Sequence, residues 1–211
     1  MPAHRSALAA LLAASLLAGC ASSSAGEDVD PATDAQLRSR VELMGTLRGV
    51  ELEENIRMLG EYLRGVAVPY LVEAVRSHSD PKVRAGCASA LGLTSDGRAV
   101  PPLAAAAEGD SDSGVRYTAA YSLLLLRDPR GFKPLFETLR SDDPLRRRVG
   151  IDRLRQLTNL DHGFDPAAPQ EQREAAVKRW EAWLGRVGLD GAAMTIQLAR
   201  RTPPTPNPAP K

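Results

Sequence analysis

The sequence predicts an all-α protein, a short stack of helical hairpins with further helices capping both ends. Three observations lead to this class. Apolar stripes at helical spacing recur every 32 residues, an aspartate opens the second half of each unit, and Gly and Pro lie in the turns between units. A period of this length is typical of one helix–turn–helix unit stacked on copies of itself.

The first half of each unit is predicted to be a short amphipathic helix. Apolar side chains follow i, i+3, i+4, i+7 spacing in three aligned stretches, 68–75, 100–107 and 132–139. That spacing places them on one face of a helix. Each stretch has proline at or near its start, where the amide hydrogen that proline lacks would have no partner.

The second half of each unit is predicted to be a helix that begins at an aspartate. Asp80, Asp112 and Asp143 stand at equivalent positions. A carboxylate there accepts N–H groups of the first turn and suits the positive end of the helix dipole, so these residues are interpreted as N-caps and not as acid catalysts. Small residues on the buried stripes predict a close approach of helices. The stripes are Val83, Cys87, Ala90 and Leu91; Val115, Ala119, Ser122, Leu123 and Leu126; and Gly150, Leu154 and Leu157.

Three motifs follow one another in the first unit: Asp-Pro-Lys-Val-Arg at 80–84, Ala-Leu-Gly at 90–92 and Asp-Gly-Arg-Ala-Val-Pro-Pro-Leu at 96–103. Together they resemble bacterial HEAT-like repeats of the PBS-lyase type. The resemblance covers about residues 51–163 and weakens in the third unit, where Arg146 replaces the inward valine. It implies a right-handed α-α superhelix, a short HEAT-like solenoid. It implies little about activity, because a few members are bilin lyases while most members of the fold are binding or scaffolding modules.

The N-terminus has the layout of a secretory signal. His4 and Arg5 precede an apolar run over 7–18, which is shorter than the roughly 20 residues that a membrane-spanning helix needs. The run leads into small residues and Cys20, an order that resembles the bacterial lipobox. The resemblance implies that residues 1–19 are removed and that Cys20 becomes the fatty-acylated first residue. The alternatives are an ordinary signal peptide with a chance cysteine, or an uncleaved anchor.

This arrangement predicts a lipid-anchored protein of the bacterial cell envelope. No Asp follows Cys20, which favours the outer membrane in a Gram-negative cell. Once Arg5 is removed, the 26 remaining basic residues equal the 26 acidic ones, so charge gives no reason to expect a nucleic-acid partner.

The rest of the chain is divided by composition and pattern. Residues 20–35 are predicted to be the lipidated cysteine and a flexible tether, because they are mostly small and polar. Helical repeats are expected over 36–163, with a break near Gly49 and a degenerate unit before the first. Capping helices are expected over 164–200, where Trp180 and Trp183 form a hydrophobic lid in preference to a ligand cage. The proline-rich tail at 201–211 is either inert or a docking strip.

A search for catalytic or metal-binding motifs finds little. Beyond the signal segment the histidines are His78 and His162, and neither has a second His or Cys at metal-ligand spacing. The loop 161–165 contains possible ligands, but its residue types are those of an irregular turn. Cys87 lies on a buried stripe and is expected in the core. No catalytic residue, metal or cofactor is predicted, since no nucleophile elbow, P-loop or His-Glu-x-x-His motif occurs.

One candidate binding surface follows from the opposite face of the second helices. Its positions read Ala85, Ser89 and Gly92 in the first unit, Tyr117, Tyr121 and Leu124 in the second, and Arg148, Asp152 and Arg155 in the third. Tyr and Arg are enriched at binding hot spots, so the last two units are predicted to hold a partner, with Tyr117, Tyr121 and Arg155 largely exposed. In the alternative interpretation, the three charged residues of the third unit only pair among themselves.

Two functions remain. The first is a membrane-anchored scaffold without catalysis that binds an envelope protein or peptide. The second is a lyase-like enzyme, or an enzyme accessory, that binds a small ligand in the concave groove. A deep pocket lined with titratable groups would favour the second.

Overall fold

The computed structural model describes residues 29–199, and within that range it contains nine α-helices and no strand. The helices are α1 Pro31–Leu43, α2 Gly49–Arg57, α3 Arg64–Ser77, α4 Pro81–Leu93, α5 Val100–Gly109, α6 Ser113–Leu125, α7 Phe132–Leu139, α8 Pro144–Thr158 and α9 Gln170–Ala199. A π-helical turn, Met58–Tyr62, continues α2, and the 3-10 turns Gly97–Ala99 and Pro129–Gly131 lead into α5 and α7. Across residues 29–199, no helix has the length and apolar character that a membrane crossing requires.

The helices form successive hairpins, α3–α4, α5–α6 and α7–α8, as the 32-residue period predicts. Between the first two hairpins, α3 packs on α5 and α4 packs on α6, and the third hairpin is joined to the second by packing of α6 on α7. One leucine position runs through the stack at Leu59, Leu91, Leu123 and Leu154, and each of these side chains is at most 1% exposed. The all-α stack predicted from the sequence is therefore confirmed.

The predicted aspartate N-caps are confirmed in all three hairpins. The carboxylate of Asp80 accepts the N–H of Lys82 at 2.8 Å, and that of Asp143 accepts the N–H of Leu145 at 2.9 Å. Asp112 accepts two N–H groups of its first turn. These short-range contacts fix where each second helix begins.

An arginine four residues after each N-cap closes the turn inside each hairpin. Arg84, Arg116 and Arg147 each donate from Nη1 to two successive backbone carbonyls, six and five residues earlier, at 2.6 to 3.1 Å. Arg84 also forms a two-point ion pair with Asp110 of the next unit. Arg146 is exposed at the position of the inward valine, so the departure noted in the third unit is real.

The N-terminal end is more ordered than the sequence suggests. Helix α1 begins at Pro31, not after residue 35, because Asp30 caps the N–H groups of Ala32 and Thr33. The chain breaks before α2, whose first residue is Gly49, as expected. A Cβ atom on Gly60 would lie 2.5 Å from the carbonyl oxygen of Ala90, so the segment after α2 packs tightly on α4 as a degenerate unit would.

The C-terminal end is closed by α9. Trp180 and Trp183 are buried, and their rings lie 5.9 Å from Phe136 and 5.3 Å from Phe132, respectively. The predicted hydrophobic lid is thus confirmed. Helix α9 kinks at Gly188, whose φ of 67° suits a residue without a side chain. The signal segment, Cys20 and the tail 201–211 lie outside the described residues.

Candidate functional site

The exposed sides of α6 and α8 carry the residues predicted to bind a partner. Tyr117 and Tyr121 are four residues apart in α6 and lie on the same side of it. Arg153 of α8 reaches toward them, and its guanidinium carbon lies 4.8 Å from the centre of the Tyr121 ring. Such a cation–π contact contributes about 0.5–1 kcal/mol at an exposed site. We define the tyrosine–arginine surface as Tyr117, Tyr121, Arg148, Asp152, Arg153 and Arg155.

The two tyrosines and Arg155 are less exposed than the sequence suggested. Both tyrosines are half-buried, and the side chain of Arg155 is 35% exposed. The Tyr117 hydroxyl is shielded from solvent, and the guanidinium of Arg153 is the charged group beside it. Burial raises the pKa of Tyr117, and the nearby charge of Arg153 lowers it in part. The aromatic pair is therefore a preorganised patch and not two free side chains.

The expected groove does not include Gly92 and Leu124, which are both buried. A Cβ atom on Gly92 would lie 2.7 Å from the Ser122 hydroxyl oxygen. Helices α4 and α6 therefore touch at this level and close the groove. Only the part between α6 and α8 presents larger side chains.

The charged residues of α8 pair with one another, as the alternative interpretation held. Arg148 Nε lies 3.2 Å from an Asp152 oxygen, and Arg155 Nη1 lies 3.7 Å from the other. Arg155 also donates to Asp161 and to the Phe164 carbonyl, both at 3.0 Å. Exposed pairs of this kind contribute little to folding, about 0–1 kcal/mol. Their partners can therefore be exchanged for groups of a bound molecule at low cost.

Arg153 is the member of the surface that sequence analysis missed. The predicted line ran from Arg148 through Asp152 to Arg155 at i, i+4 and i+7. Arg153 lies one position to the side of that line. It reaches Tyr121 because of the lateral register between α6 and α8, which no local sequence pattern encodes.

Positive charge dominates α8. The helix contains five arginines and one aspartate. Arg147 is buried in the turn contacts described above, whereas Arg146 and Arg148 are exposed. The tyrosine–arginine surface therefore lies beside a local excess of positive charge.

A second cleft, on the row of first helices, was not foreseen from the sequence. It has a volume of about 480 Å³ and lies between α5, α7 and α9. Leu184 and Leu189 line it together with Lys133 and Glu137. Leu189 is half-exposed directly after the Gly188 kink, and an apolar residue after a helix-breaking glycine is the one sequence signal for this cleft.

The side chains that could act as a nucleophile or as metal ligands, Cys87 and the carboxylates of the loop 161–165, have structural roles in the described part of the chain. Cys87 is buried as expected, and burial raises the pKa of its thiol to about 12, which makes it a poor nucleophile. In the loop 161–165, Asp161 and Asp165 accept N–H groups of residues two positions ahead, which is a turn role. Residues 29–199 contain no group of three or more His, Cys, Asp or Glu side chains placed to hold a metal ion.

The fold and the surface define a class of protein, a helical-repeat array with an open face suited to binding. The family profile for HEAT repeats matches residues 68–155, which run from α3 to α8. Residues 68–155 are thus similar to HEAT repeats, as the motifs predicted. None of the curated proteins matches the chain. HEAT repeats are generally a non-catalytic scaffold fold that mediates protein–protein binding.

Proposed function

We propose that this protein is a lipid-anchored, non-catalytic interaction module of the bacterial cell envelope, where it holds a protein or peptide partner. The tyrosine–arginine surface is the observation that carries the proposal. Its aromatic pair is held in place by Arg153 and by the helices beneath it, so little conformational entropy is lost on binding. Tyr and Arg are also the residue types that contribute most at protein interfaces.

The charge of α8 favours an acidic partner segment. Five arginines against one aspartate attract carboxylates and speed encounter with them. The existing pairs of Arg148 and Arg155 are exposed or half-exposed, so carboxylates of a partner can replace Asp152 and Asp161.

The proposed location rests on the sequence before the described residues. Charged residues, an apolar run and small residues before Cys20 support lipidation at that cysteine. Several acyl chains on one residue hold a protein firmly at a membrane, because each buried methylene contributes about 0.8 kcal/mol. The absence of Asp after Cys20 supports the outer membrane.

Affinity capture of the full-length, membrane-anchored protein, followed by mass spectrometry, tests the proposal. The double variant Tyr121→Ala, Arg153→Ala should recover at least about tenfold less partner, since hot-spot truncations cost about 2 kcal/mol or more. Both side chains are half-buried and touch each other, so the variant should also lose some stability, and capture is done well below its melting temperature.

A second tyrosine–arginine pair on the chain supplies the matched control. Tyr62 is 55% exposed beside Arg57 at the N-terminal end of the stack. The variant Tyr62→Ala, Arg57→Ala should recover the partner as the unmodified protein does. Equal recovery by both double variants would contradict the surface assignment.

A further inference from the structure

Helix α2 presents an exposed face with an apolar side chain among charged ones. Val50, Glu53, Glu54 and Arg57 follow i, i+3, i+4, i+7 spacing, so they lie on one side of the helix. All four are exposed, and Val50 is 74% exposed. The buried residue of α2, Asn55, lies on the other side, toward the stack.

Helix α8 has a face with the same spacing. Leu145, Arg148, Val149 and Asp152 lie on the side of α8 that points away from the core, and all four are exposed. In the described part of the chain, the two most exposed large apolar side chains are Leu145, at 70%, and Val50 of α2. An apolar centre with a polar rim is the usual composition of a protein interface.

The two faces are complementary in charge. Helix α2 contains three glutamates and one arginine, whereas α8 contains five arginines and one aspartate. With the helices parallel and Val50 set against Leu145, Arg148 lies level with Glu53, and three turns of sequence need no shift of register. Four residues further on in each helix, arginine of α2 lies level with aspartate of α8. Opposite charges therefore meet at two successive levels, which favours association in this register.

The two faces cannot meet within one chain. Helix α2 packs on α4 and α4 on α6, and α8 follows at the other end, where Arg153 reaches Tyr121 of α6. The partner that fits both faces is a second copy of the chain. A two-fold axis parallel to these helices reverses the order of the row and keeps the helix direction, so α2 of each copy meets α8 of the other.

We propose that two copies of this chain associate in this way, with the exposed face of each α2 on the exposed face of the other copy's α8. Each contact extends over about two helical turns. Two such contacts form a small interface beside the about 1,600 Å² of a standard stable complex, so the pair forms at high local concentration and separates in dilute solution. The inference goes beyond the proposed function, because it requires no envelope partner.

Cysteine cross-linking of the full chain in the cells that express it tests the arrangement. One copy carries Val50→Cys, and a second copy with a larger tag carries Leu145→Cys. Mild oxidation should give a mixed dimer when the two are expressed together. Either variant alone should give little dimer, because the two-fold axis keeps identical positions apart. Met194→Cys is the matched control for Leu145→Cys, since Met194 is 63% exposed but lies on α9, outside both faces.

Charge reversal tests whether the charged rims select the contact. Glu53→Arg with Glu54→Arg in the Val50→Cys copy should lower the yield of mixed dimer at least about tenfold, since like charges then face each other. Adding Arg148→Glu to the Leu145→Cys copy should restore the yield. Both contacts of that mixed pair again join opposite charges.

Three results would overturn the inference. The first is a mixed dimer no more abundant with Leu145→Cys than with Met194→Cys, and the second is a yield that charge reversal leaves unchanged. The third is a ladder of three or more linked copies when Val50→Cys and Leu145→Cys are in one chain, since that pattern shows an open head-to-tail assembly. Partner capture by the Tyr121→Ala, Arg153→Ala variant is a separate measurement, so failure of either proposal is seen independently of the other.

Discussion

Leu91 and Leu123 occupy equivalent positions in successive units, and each side chain is at most 1% exposed. We expect Leu91→Ala and Leu123→Ala each to lower the free energy of unfolding by about 2–5 kcal/mol, through lost transfer energy and an unfilled cavity. Leu145→Ala is the matched control, because Leu145 is 70% exposed on α8 and surface truncations change stability by about 0.5 kcal/mol or less. Urea unfolding of the three variants measures the difference, and similar losses in all three would show that the buried face is wrongly assigned.

His162 is expected to make the stability of the folded protein depend on pH below neutrality. Its ring stands edge-on to Trp180 at 4.4 Å, and burial together with the nearby charge of Arg186 lowers its pKa from the ordinary value of 6.5. The unfolded chain therefore takes up a proton on this residue more readily than the folded one. Stability is unaffected by this group well above pH 6.5 and falls as the pH drops below it.

The variant His162→Phe isolates that contribution, because it keeps an aromatic ring against Trp180 and cannot be protonated. Its unfolding midpoint should fall less than that of the native protein between pH 7 and pH 5, approximate limits that bracket the ordinary histidine pKa. Thermal melts across this interval check the difference. Parallel curves for the two proteins would rule out His162 as the group responsible.

At the scale of single residues, the sequence predicts those contacts that form between residues close together along the chain. The N-caps at Asp80, Asp112 and Asp143 follow from residues two and three positions ahead. Arg153 could not be identified in this way, because its contact with Tyr121 depends on how α8 lies beside α6.

At the scale of the helices, glycines set how closely neighbouring elements approach one another. A Cβ atom on Gly92 would meet Ser122, and one on Gly131 would meet the Ala120 backbone carbonyl, whereas nothing lies within 4 Å of the corresponding position on Gly185. Gly92→Ala and Gly131→Ala should therefore destabilise the protein, by about 1–3 kcal/mol for overpacking. Gly185→Ala should stabilise it by up to about 1 kcal/mol, because alanine favours the interior of α9.

Chemical denaturation of the three glycine variants provides the test, since the substitution is the same and only the surroundings differ. A stabilised Gly131→Ala variant would contradict the close contact between the turn and α6. The identity of these glycines was visible in the sequence, but the atoms that face them were not.

The ends of the helices, too, were only partly predictable from the sequence. The period and the prolines placed α4 to α8 correctly, because those boundaries have local causes. The start of α3 was predicted too late, since the helix begins at Arg64 and Pro69 lies inside it. The start of α1 was missed, since Asp30 and Pro31 were read as part of a polar tether although they form an N-cap and first turn like those at 80–81.

The proposed membrane attachment is a property of the whole molecule, and we expect it to depend on Cys20. We expect Cys20→Ser to leave the membrane fraction or to remain unprocessed, because the residues that follow are small and polar. Fractionation and gel migration of the mutant beside the unmodified protein check this. The same distribution and migration for both would contradict the lipid anchor.

The overall architecture was predictable because a period repeats the same information several times. Three aligned stripes reinforce one another, and the HEAT repeat match falls on the residues that carry them. The proposed binding surface occurs once, in the last two hairpins, so no repetition supports it. Its shape depends on which side chains fill the space between α6 and α8.

The lid formed by Trp180 and Trp183 also makes the protein a reporter on its own unfolding. These are the two tryptophans of the chain, and both lie in α9, at one end of the stack. Tryptophan emission therefore follows the loosening of that end, while far-ultraviolet circular dichroism follows all nine helices of residues 29–199. In a linear stack, where each unit touches only its neighbours, the temperature interval between the two melting curves measures how strongly adjacent units are coupled.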